Sequence, residues 1–219
     1  MNPIKTFSFV LLAGLFGIAQ ANEAAAPAAP AGDAVAGKAK AVACGACHNP
    51  DGNSVISTNP KLAGQGEKYI AKQLRDFKSG KRANPIMMGM ASPLSDQDIL
   101  DIAAYFAAQK SSTSAADPVQ AKVGEKIWRG GNLQSGVMAC TGCHGPSGRG
   151  NQQAAYPALR GQHADYVETQ LKAFRGVARG DLTGDKREND PEGMMRGVVK
   201  NLSDGEIKAL AQFVTGLYQ

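Results

Sequence analysis

The chain has 219 residues, 24 of them basic and 19 acidic, which gives a formal net charge of +5 at pH 7 and a sequence pI of about 9.0. Basic and acidic side chains are mixed along both halves, so neither half has the dense positive charge that nucleic-acid binding requires, and no nucleic-acid partner is expected. The four cysteines fall in two tight pairs within an ordinary globular composition, which argues against a disulfide framework.

The N-terminus has the pattern of a secretory signal peptide. Lys5 precedes an apolar run over residues 7–18, and Ala19-Gln20-Ala21 provides an A-x-A cleavage site. We assign residues 1–21 to the signal peptide and residues 22–32, rich in Ala and Pro without periodicity, to a disordered tether. The apolar run is shorter than the roughly 20 residues that span a bilayer, so the mature protein is expected to be soluble.

Two five-residue motifs, at residues 44–48 and 140–144, share the pattern C-x-x-C-H and contain every cysteine of the chain. The pattern is typical of c-type haem attachment, in which both thiols add to the haem vinyl groups and the histidine binds the iron. Cysteines three apart lie on roughly one side of a helical turn, so both reach one edge of a porphyrin. We therefore expect two covalently bound haem c groups. The predicted attachment residues are Cys44, Cys47, Cys140 and Cys143, and the predicted iron ligands are His48 and His144. The alternative is a single zinc ion bound by all four cysteines, which leaves both histidines unexplained.

The segment after each motif is repeated. Residues 60–65, Pro-Lys-Leu-Ala-Gly-Gln, match residues 157–162, Pro-Ala-Leu-Arg-Gly-Gln. Further matches pair Tyr69 with Tyr166, Gln73 with Gln170, Leu74 with Leu171, Phe77 with Phe174, and Leu94-Ser95-Asp96 with Leu202-Ser203-Asp204. The chain is thus one small haem domain used twice. We expect domains at 33–110 and 119–219, separated by a Ser-, Thr- and Pro-containing linker at 111–118.

Each domain is predicted to consist of a few helices around its haem. Capping boxes at Ser95 and Ser203 begin two closing helices, each followed by apolar residues at helical spacing. A second amphipathic helix per domain is predicted from Ile70, Leu74 and Phe77, and from Val167, Leu171 and Phe174. We expect the aromatic residues Trp128, Tyr105 and Phe213 to belong to the core; the alternative is that Gly37 and Gly124 of the opening helices allow close crossing against Tyr105 or Phe213. A domain of about 90 residues is small for a stable core, so the apo-protein should fold poorly.

The repeat also predicts the sixth ligand of each iron. Met87 and Met195 stand at the same distance before Leu94 and Leu202, whereas Met88, Met90 and Met194 have no methionine counterpart in the other half. We therefore expect Met87 and Met195 to bind iron; the alternative is that they fill the core. Two irons with histidine and methionine ligands have a raised reduction potential and no open site, which predicts an electron carrier without a small-molecule substrate, and not an enzyme.

Two prolines complete the predicted site, and the third histidine of the chain is predicted to lie outside it. The carbonyls of Pro60 and Pro157 are candidate acceptors for the Nδ1 protons of the two ligand histidines. The third histidine, His163, faces Gly66 in the repeat, so it is not a shared ligand and is expected at an exposed helix start.

From Gly32 onwards the chain resembles the dihaem cytochrome c4 family, which is all-α with two class I cytochrome c domains in tandem. The stretches G-A-C-H, N-P-K-L-A-G-Q, L-S-D-Q-D-I and R-G-G carry the resemblance. It implies the ligand pairs His48 with Met87 and His144 with Met195, and places Pro60 and Pro157 on the proline whose carbonyl receives the histidine hydrogen bond. It also implies a periplasmic carrier, membrane-associated in some members, that passes electrons from a quinol-oxidising cytochrome bc-type complex towards a terminal oxidase or reductase.

One departure from the repeat is an insertion around residues 179–191, which we expect to be a solvated loop, with a docking surface as the alternative.

Two other functions compete with the electron shuttle. A cytochrome subunit of a flavocytochrome sulfide dehydrogenase has similar tandem domains and requires a flavoprotein partner. A dihaem peroxidase or thiosulfate dehydrogenase requires an open iron or a different ligand, against which the paired methionines argue.

Overall fold

The computed structural model describes residues 31–181, 183–184 and 186–217. The predicted signal peptide and most of the predicted tether lie outside these residues. Within the described part of the chain the structure is helical, and extended pairing is limited to two isolated β-bridges, Asn132 with Val137 and Asn151 with Tyr156. The predicted all-α class is confirmed. None of the described helices combines the length and the apolar character needed to cross a bilayer.

The helices of the two halves follow the same order. In the first half they are α1 (Ala34–Lys40), α2 (Gly45–His48), α3 (Glu67–Lys78), α4 (Pro85–Ala91) and α5 (Asp96–Ala107). In the second half they are α6 (Pro118–Gly130), α7 (Thr141–His144), α8 (Ala164–Arg179), α9 (Met194–Val199) and α10 (Asp204–Thr215), with a single 3-10 turn at Pro191–Gly193 before α9. Each half therefore has an opening helix, a short motif helix, a long middle helix, a short helix carrying the predicted ligand methionine, and a closing helix.

The closing helices begin where the capping signals predict. Ser95 accepts a hydrogen bond from the Asp98 amide and Asp98 accepts one from the Ser95 amide; Ser203 and Glu206 do the same in the second half. Each reciprocal pair satisfies two amide groups that the first helical turn leaves without partners. The apolar faces of α5 and α10 are buried in the core of their own domain, where α3 and α8 pack against them. The predicted middle and closing helices are confirmed.

The opening and closing helices of each half cross at a glycine. A Cβ atom on Gly37 would lie 2.0 Å from the carbonyl oxygen of Asp101, and one on Gly124 would lie 2.1 Å from that of Ala209. These distances are far below van der Waals contact, so only glycine permits α1 to lie this close to α5 and α6 to α10. The sequence left close crossing against Tyr105 or Phe213 as an alternative, and the structure shows it: beyond the carbonyl groups, each added Cβ would meet one of these side chains.

Substituting Gly124 by alanine should therefore destabilise the second domain. The new methyl group would meet a helix backbone, which cannot move aside as a side chain can, and overpacking of this kind costs about 1–3 kcal/mol. We expect a value near the upper end, measured as a lower guanidinium midpoint for the holoprotein. The matched control is Gly205→Ala in α10, where an added Cβ meets no atom within 4 Å. An unchanged midpoint in the Gly124→Ala variant would show that the helices are not in tight contact at this glycine.

Candidate haem sites and the contact between the domains

The two C-x-x-C-H motifs adopt the same local structure. In each, the first cysteine precedes a four-residue helix, α2 or α7, and the histidine is the last residue of that helix. Both histidines are buried, His48 with 7% and His144 with 6% of its surface exposed. The first cysteine of each pair is half-buried and packs on the apolar core of its domain, while the second, Cys47 or Cys143, is exposed.

Each histidine ring is oriented by a proline carbonyl. His48 Nδ1 lies 2.8 Å from the carbonyl oxygen of Pro60, and His144 Nδ1 lies 3.0 Å from that of Pro157. A carbonyl oxygen only accepts, so Nδ1 carries the proton and donates, which leaves the Nε2 lone pair free. The sequence named Pro60 and Pro157 as candidates, and the structure places their oxygens in contact with the histidines.

Burial favours the neutral forms of the motif side chains. It lowers the pKa of both histidines, against the opposing effect of the hydrogen bonds to the proline carbonyls. A neutral imidazole with a protonated Nδ1 is the form that binds a metal through Nε2. Burial also raises the pKa of the Cys44 thiol, and it raises that of Cys140 to about 11.

In the second domain the motif opens onto a large cavity. The cavity measures about 1200 Å³ with its open mouth included, and its walls are mainly apolar. Cys140, Cys143, His144 and Met195 all line it, together with the adjacent Met194. The structure thus brings the predicted attachment cysteines, histidine and methionine of this domain to one cavity.

The two methionines that the repeat pairs, Met87 and Met195, are less exposed than their methionine neighbours. Met87 and Met195 are half-buried and pack against the cores of the first and second domain. Met88, Met90 and Met194 are each 38% exposed. Met87 lies in the first turn of α4, where its amide donates to the side chain of the capping residue Asn84 at 3.0 Å. The less exposed methionine of each group is therefore the one that the two halves share.

The four cysteines do not converge on a single metal site. They lie as two separate pairs, and the described residues contain no group of three His, Cys, Asp or Glu side chains placed to hold a metal ion. A zinc ion shared by the two motifs is inconsistent with this arrangement.

Comparison with known proteins supports the assignment of both motifs as haem-attachment sites. The family model described as "Cytochrome c" matches residues 32–110 and 130–217. Cytochrome c4 of Stutzerimonas stutzeri is 48% identical over 100% of both chains. The crystal structure of reduced recombinant cytochrome c4 from Pseudomonas stutzeri has a TM-score of 0.79 at 49% identity and covers 86% of this chain and 100% of that chain. The chain belongs to the cytochrome c4 family.

Membership and the two C-x-x-C-H sites together establish two tandem cytochrome c domains, each with a covalently bound haem c, in an electron-transfer protein. A more distant relative is the thiosulfate dehydrogenase electron acceptor of Thiomonas intermedia, which is 35% identical over 96% of this chain and 89% of that one. Its name indicates that a protein related to this one receives electrons from an enzyme partner.

The residues around the cavity of the second domain suit a haem. The Nε1 donor of Trp128 is buried in the cavity wall and has no hydrogen-bond partner among the described residues. Arg187 and Lys72 also line the cavity, and Arg187 has no ion pair with a carboxylate in the described part of the chain. A haem brings two carboxylates and a large apolar ring, which match the unpaired Trp128 donor, the positive charges of Arg187 and Lys72, and the apolar walls.

Two buried arginines lie between the domains. Arg82 stacks on Phe77 with its guanidinium carbon 4.6 Å from the ring centroid, and Arg187 stacks on Phe174 at 4.2 Å. Arg82 donates to Tyr166 at 3.0 Å, and Arg187 donates to Gln73 at 3.2 Å, so each reaches into the opposite domain. The arginines therefore link the two halves through repeat-related aromatic and amide residues.

This contact corrects the prediction for the insertion at residues 179–191. A solvated loop was expected, but Arg187 and Asp190 are buried and Asn189 donates to Asp76 of the first domain. Asp190 also pairs with Arg196 at 2.7 Å and so holds the start of α9. The end of the insertion is thus part of the domain contact, because the first domain supplies partners for Arg187 and Asn189 while α9 supplies one for Asp190.

His163 requires a second correction. It does precede α8, as predicted, but it is half-buried, and its Nε2 lies 2.8 Å from the Ser54 carbonyl of the first domain. The sequence offered no signal for this contact, because His163 and its partner are far apart along the chain.

Proposed function

We propose that this protein is a periplasmic dihaem shuttle that carries electrons from a quinol-oxidising cytochrome complex of the bc type to a terminal oxidase or reductase. The axial ligands in this proposal are His48 and Met87 for the first haem, and His144 and Met195 for the second. The proposed domain limits are 33–110 and 119–219. The observation that carries the proposal is the cavity in the second domain, which the attachment cysteines, the histidine and the methionine all line.

Each haem, when bound, supplies an iron that accepts and releases one electron. The chain contributes a neutral histidine, whose ring is held by a proline carbonyl so that Nε2 is presented to the metal. The methionine thioether is a soft, neutral donor that favours Fe(II) and raises the potential. Filling both axial positions with protein side chains excludes small ligands, so the proposed role is transfer of electrons and not turnover of a substrate.

The localisation and the partners follow from different observations. The predicted signal peptide supports export to the periplasm, where peripheral association with the membrane would bring the protein close to its redox partners. Exposed apolar side chains flank the proposed methionine of the first domain, with Ile86 71% exposed on α4. An exposed apolar patch beside a redox centre favours brief association with other redox proteins.

The test is electron transfer with native membranes. Membranes supplied with a quinol should reduce both haems of the purified protein, and an inhibitor of the quinol-oxidising complex should prevent this. Membranes supplied with oxygen should then reoxidise it. Fractionation should recover the protein with the periplasm or loosely bound to membranes. Absence of reduction by quinol-fed membranes would overturn the proposed donor, and recovery of the haem-loaded protein in the cytoplasm would overturn the proposed location.

The relation to a thiosulfate dehydrogenase electron acceptor favours one second candidate. In it, the same dihaem carrier receives its electrons from a thiosulfate-oxidising enzyme instead of a quinol-oxidising complex. Reduction of the haems by thiosulfate and that enzyme, without membranes, would support the second candidate. Co-purification with a flavoprotein would instead support the flavocytochrome sulfide dehydrogenase alternative.

A further inference from the structure

The peptide group that follows Pro60 is hydrogen bonded on both of its sides. Its carbonyl oxygen accepts the Nδ1 proton of His48 at 2.8 Å. Its N–H, which belongs to Lys61, donates to Oε1 of Gln162 in the other domain at 2.9 Å. One peptide unit therefore connects the histidine of the first domain to a glutamine of the second.

The second domain has the equivalent arrangement, with a glutamine supplied by the first domain. The peptide group after Pro157 accepts from His144 Nδ1 at 3.0 Å, and its N–H, on Ala158, donates to Oε1 of Gln65 at 2.8 Å. Gln65 and Gln162 are equivalent positions of the repeat. Each histidine is thus linked, through one peptide, to the glutamine of the opposite domain.

Both glutamines are held firmly in this position. The Nε2 of Gln162 donates to the Lys61 carbonyl at 2.9 Å, and the Nε2 of Gln65 donates to the Ala158 carbonyl at 2.9 Å. Each side chain therefore bonds the N–H and the carbonyl of one residue, which fixes the orientation of its amide group. Gln65 is 7% and Gln162 is 6% exposed, so water competes little for these bonds.

Hydrogen bonds in series through a peptide group strengthen one another. When the N–H donates to a glutamine oxygen, electron density moves towards the carbonyl oxygen, and that oxygen becomes a better acceptor; the gain is perhaps 10–30% per bond. A stronger acceptor at Nδ1 makes the imidazole more basic. A more basic imidazole stabilises Fe(III) relative to Fe(II), and so lowers the reduction potential.

We propose that Gln162 and Gln65 are positioning residues that set the strength of the iron–histidine bond in the opposite domain, Gln162 for the haem of His48 and Gln65 for the haem of His144. The proposal rests on the assignment of these histidines as iron ligands in the proposed function. In physical terms, the contact between the domains lowers the reduction potential of both haems, because each glutamine belongs to the domain opposite the haem that it affects.

The test is a redox titration of the full-length holoprotein with Gln162→Met and Gln65→Met, with each haem followed separately by NMR of its iron-shifted resonances. Gln162→Met should raise the potential of the His48 haem and leave the His144 haem unchanged, and Gln65→Met should do the reverse. The expected change is about two- to tenfold in the Fe(II)/Fe(III) ratio at fixed applied potential, tenfold being about 59 mV for a one-electron couple.

Two further variants separate tuning from a loosened interface. Lys68→Met removes another hydrogen bond between the domains, from Lys68 to Gln153, that has no connection to either histidine, and should move neither potential. Gln162→Glu keeps an oxygen that can accept from the Lys61 amide, and should return the His48 haem to the parent potential or below it.

Equal shifts of both haems in a single glutamine variant, or no shift in either, would overturn the proposal. The parent spectrum provides a separate check of the assumption beneath it, because histidine-ring and methionine-methyl resonances shifted by iron report the ligation directly. The titration uses no redox partner, so failure of the proposed donor or acceptor leaves this result interpretable.

Discussion

Replacing Met195 by alanine should lower the reduction potential of the second haem and open its iron to external ligands, while the haem stays covalently attached. The thioether would be lost from a cavity that Met195 lines, and the attachment through Cys140 and Cys143 would be untouched. Axial ligands set haem potentials over about 0.8 V, so we expect a fall on the order of 0.1 V or more. Redox titration and carbon monoxide binding to the reduced protein measure the two effects.

Met87→Ala should produce the same change in the first haem only. The repeat supplies matched controls, because Met88 and Met194 are neighbours of the proposed ligands but are 38% exposed. Met88→Ala and Met194→Ala should leave both potentials close to those of the parent protein. Unchanged potentials in Met87→Ala and Met195→Ala would refute both assignments, and a large fall in Met194→Ala would refute that of Met195.

Replacing both Cys140 and Cys143 by alanine should abolish covalent haem in the second domain and unfold much of it. The cavity, which measures about 1200 Å³ with its open mouth included and has mainly apolar walls, would then be filled by water between α7, α8 and α9. A domain this small buries too little apolar surface to tolerate such a loss. Mass spectrometry should find one haem in place of two, and circular dichroism should show lost helix.

The mirror variant, Cys44→Ala with Cys47→Ala, is the control for this experiment. It should remove the other haem and leave the second domain folded, since each domain has its own apolar core. Two haems remaining in either double variant would contradict attachment at these cysteines. Full helicity with one haem lost would show that the apolar core holds the domain together without its cofactor.

Features that depend on residues close together in the chain could be predicted from the sequence. The capping boxes at Ser95 and Ser203 depend on residues three apart, and the apolar faces of α3, α5, α8 and α10 depend on helical spacing. The repeat added one long-range inference, that the two halves have the same helix order. It also selected Met87 and Met195 by alignment, and these are the half-buried methionines of their groups.

The contact between the domains could not be predicted in this way. The repeat pairs Gln65 with Gln162, and Gln73 with Gln170, as equivalent residues. Equivalence does not reveal that each of these glutamines forms hydrogen bonds with residues of the opposite domain. The insertion at residues 179–191 has a charged composition that favours solvent, yet Arg187 is buried because Phe174 and Gln73 surround its guanidinium. A charged group is buried only where partners are supplied, and one of these partners, Gln73, belongs to the opposite half.

The sequence by itself determined the helices, the duplication and the two haem-attachment motifs, because helix signals and thioether chemistry depend on residues within a few positions of one another. It also named the two prolines whose carbonyls meet the histidines, but only the tertiary structure decided which glutamine supports each proline peptide from the opposite domain. Those contacts join residues far apart in the chain, and they depend on how one folded domain packs against the other.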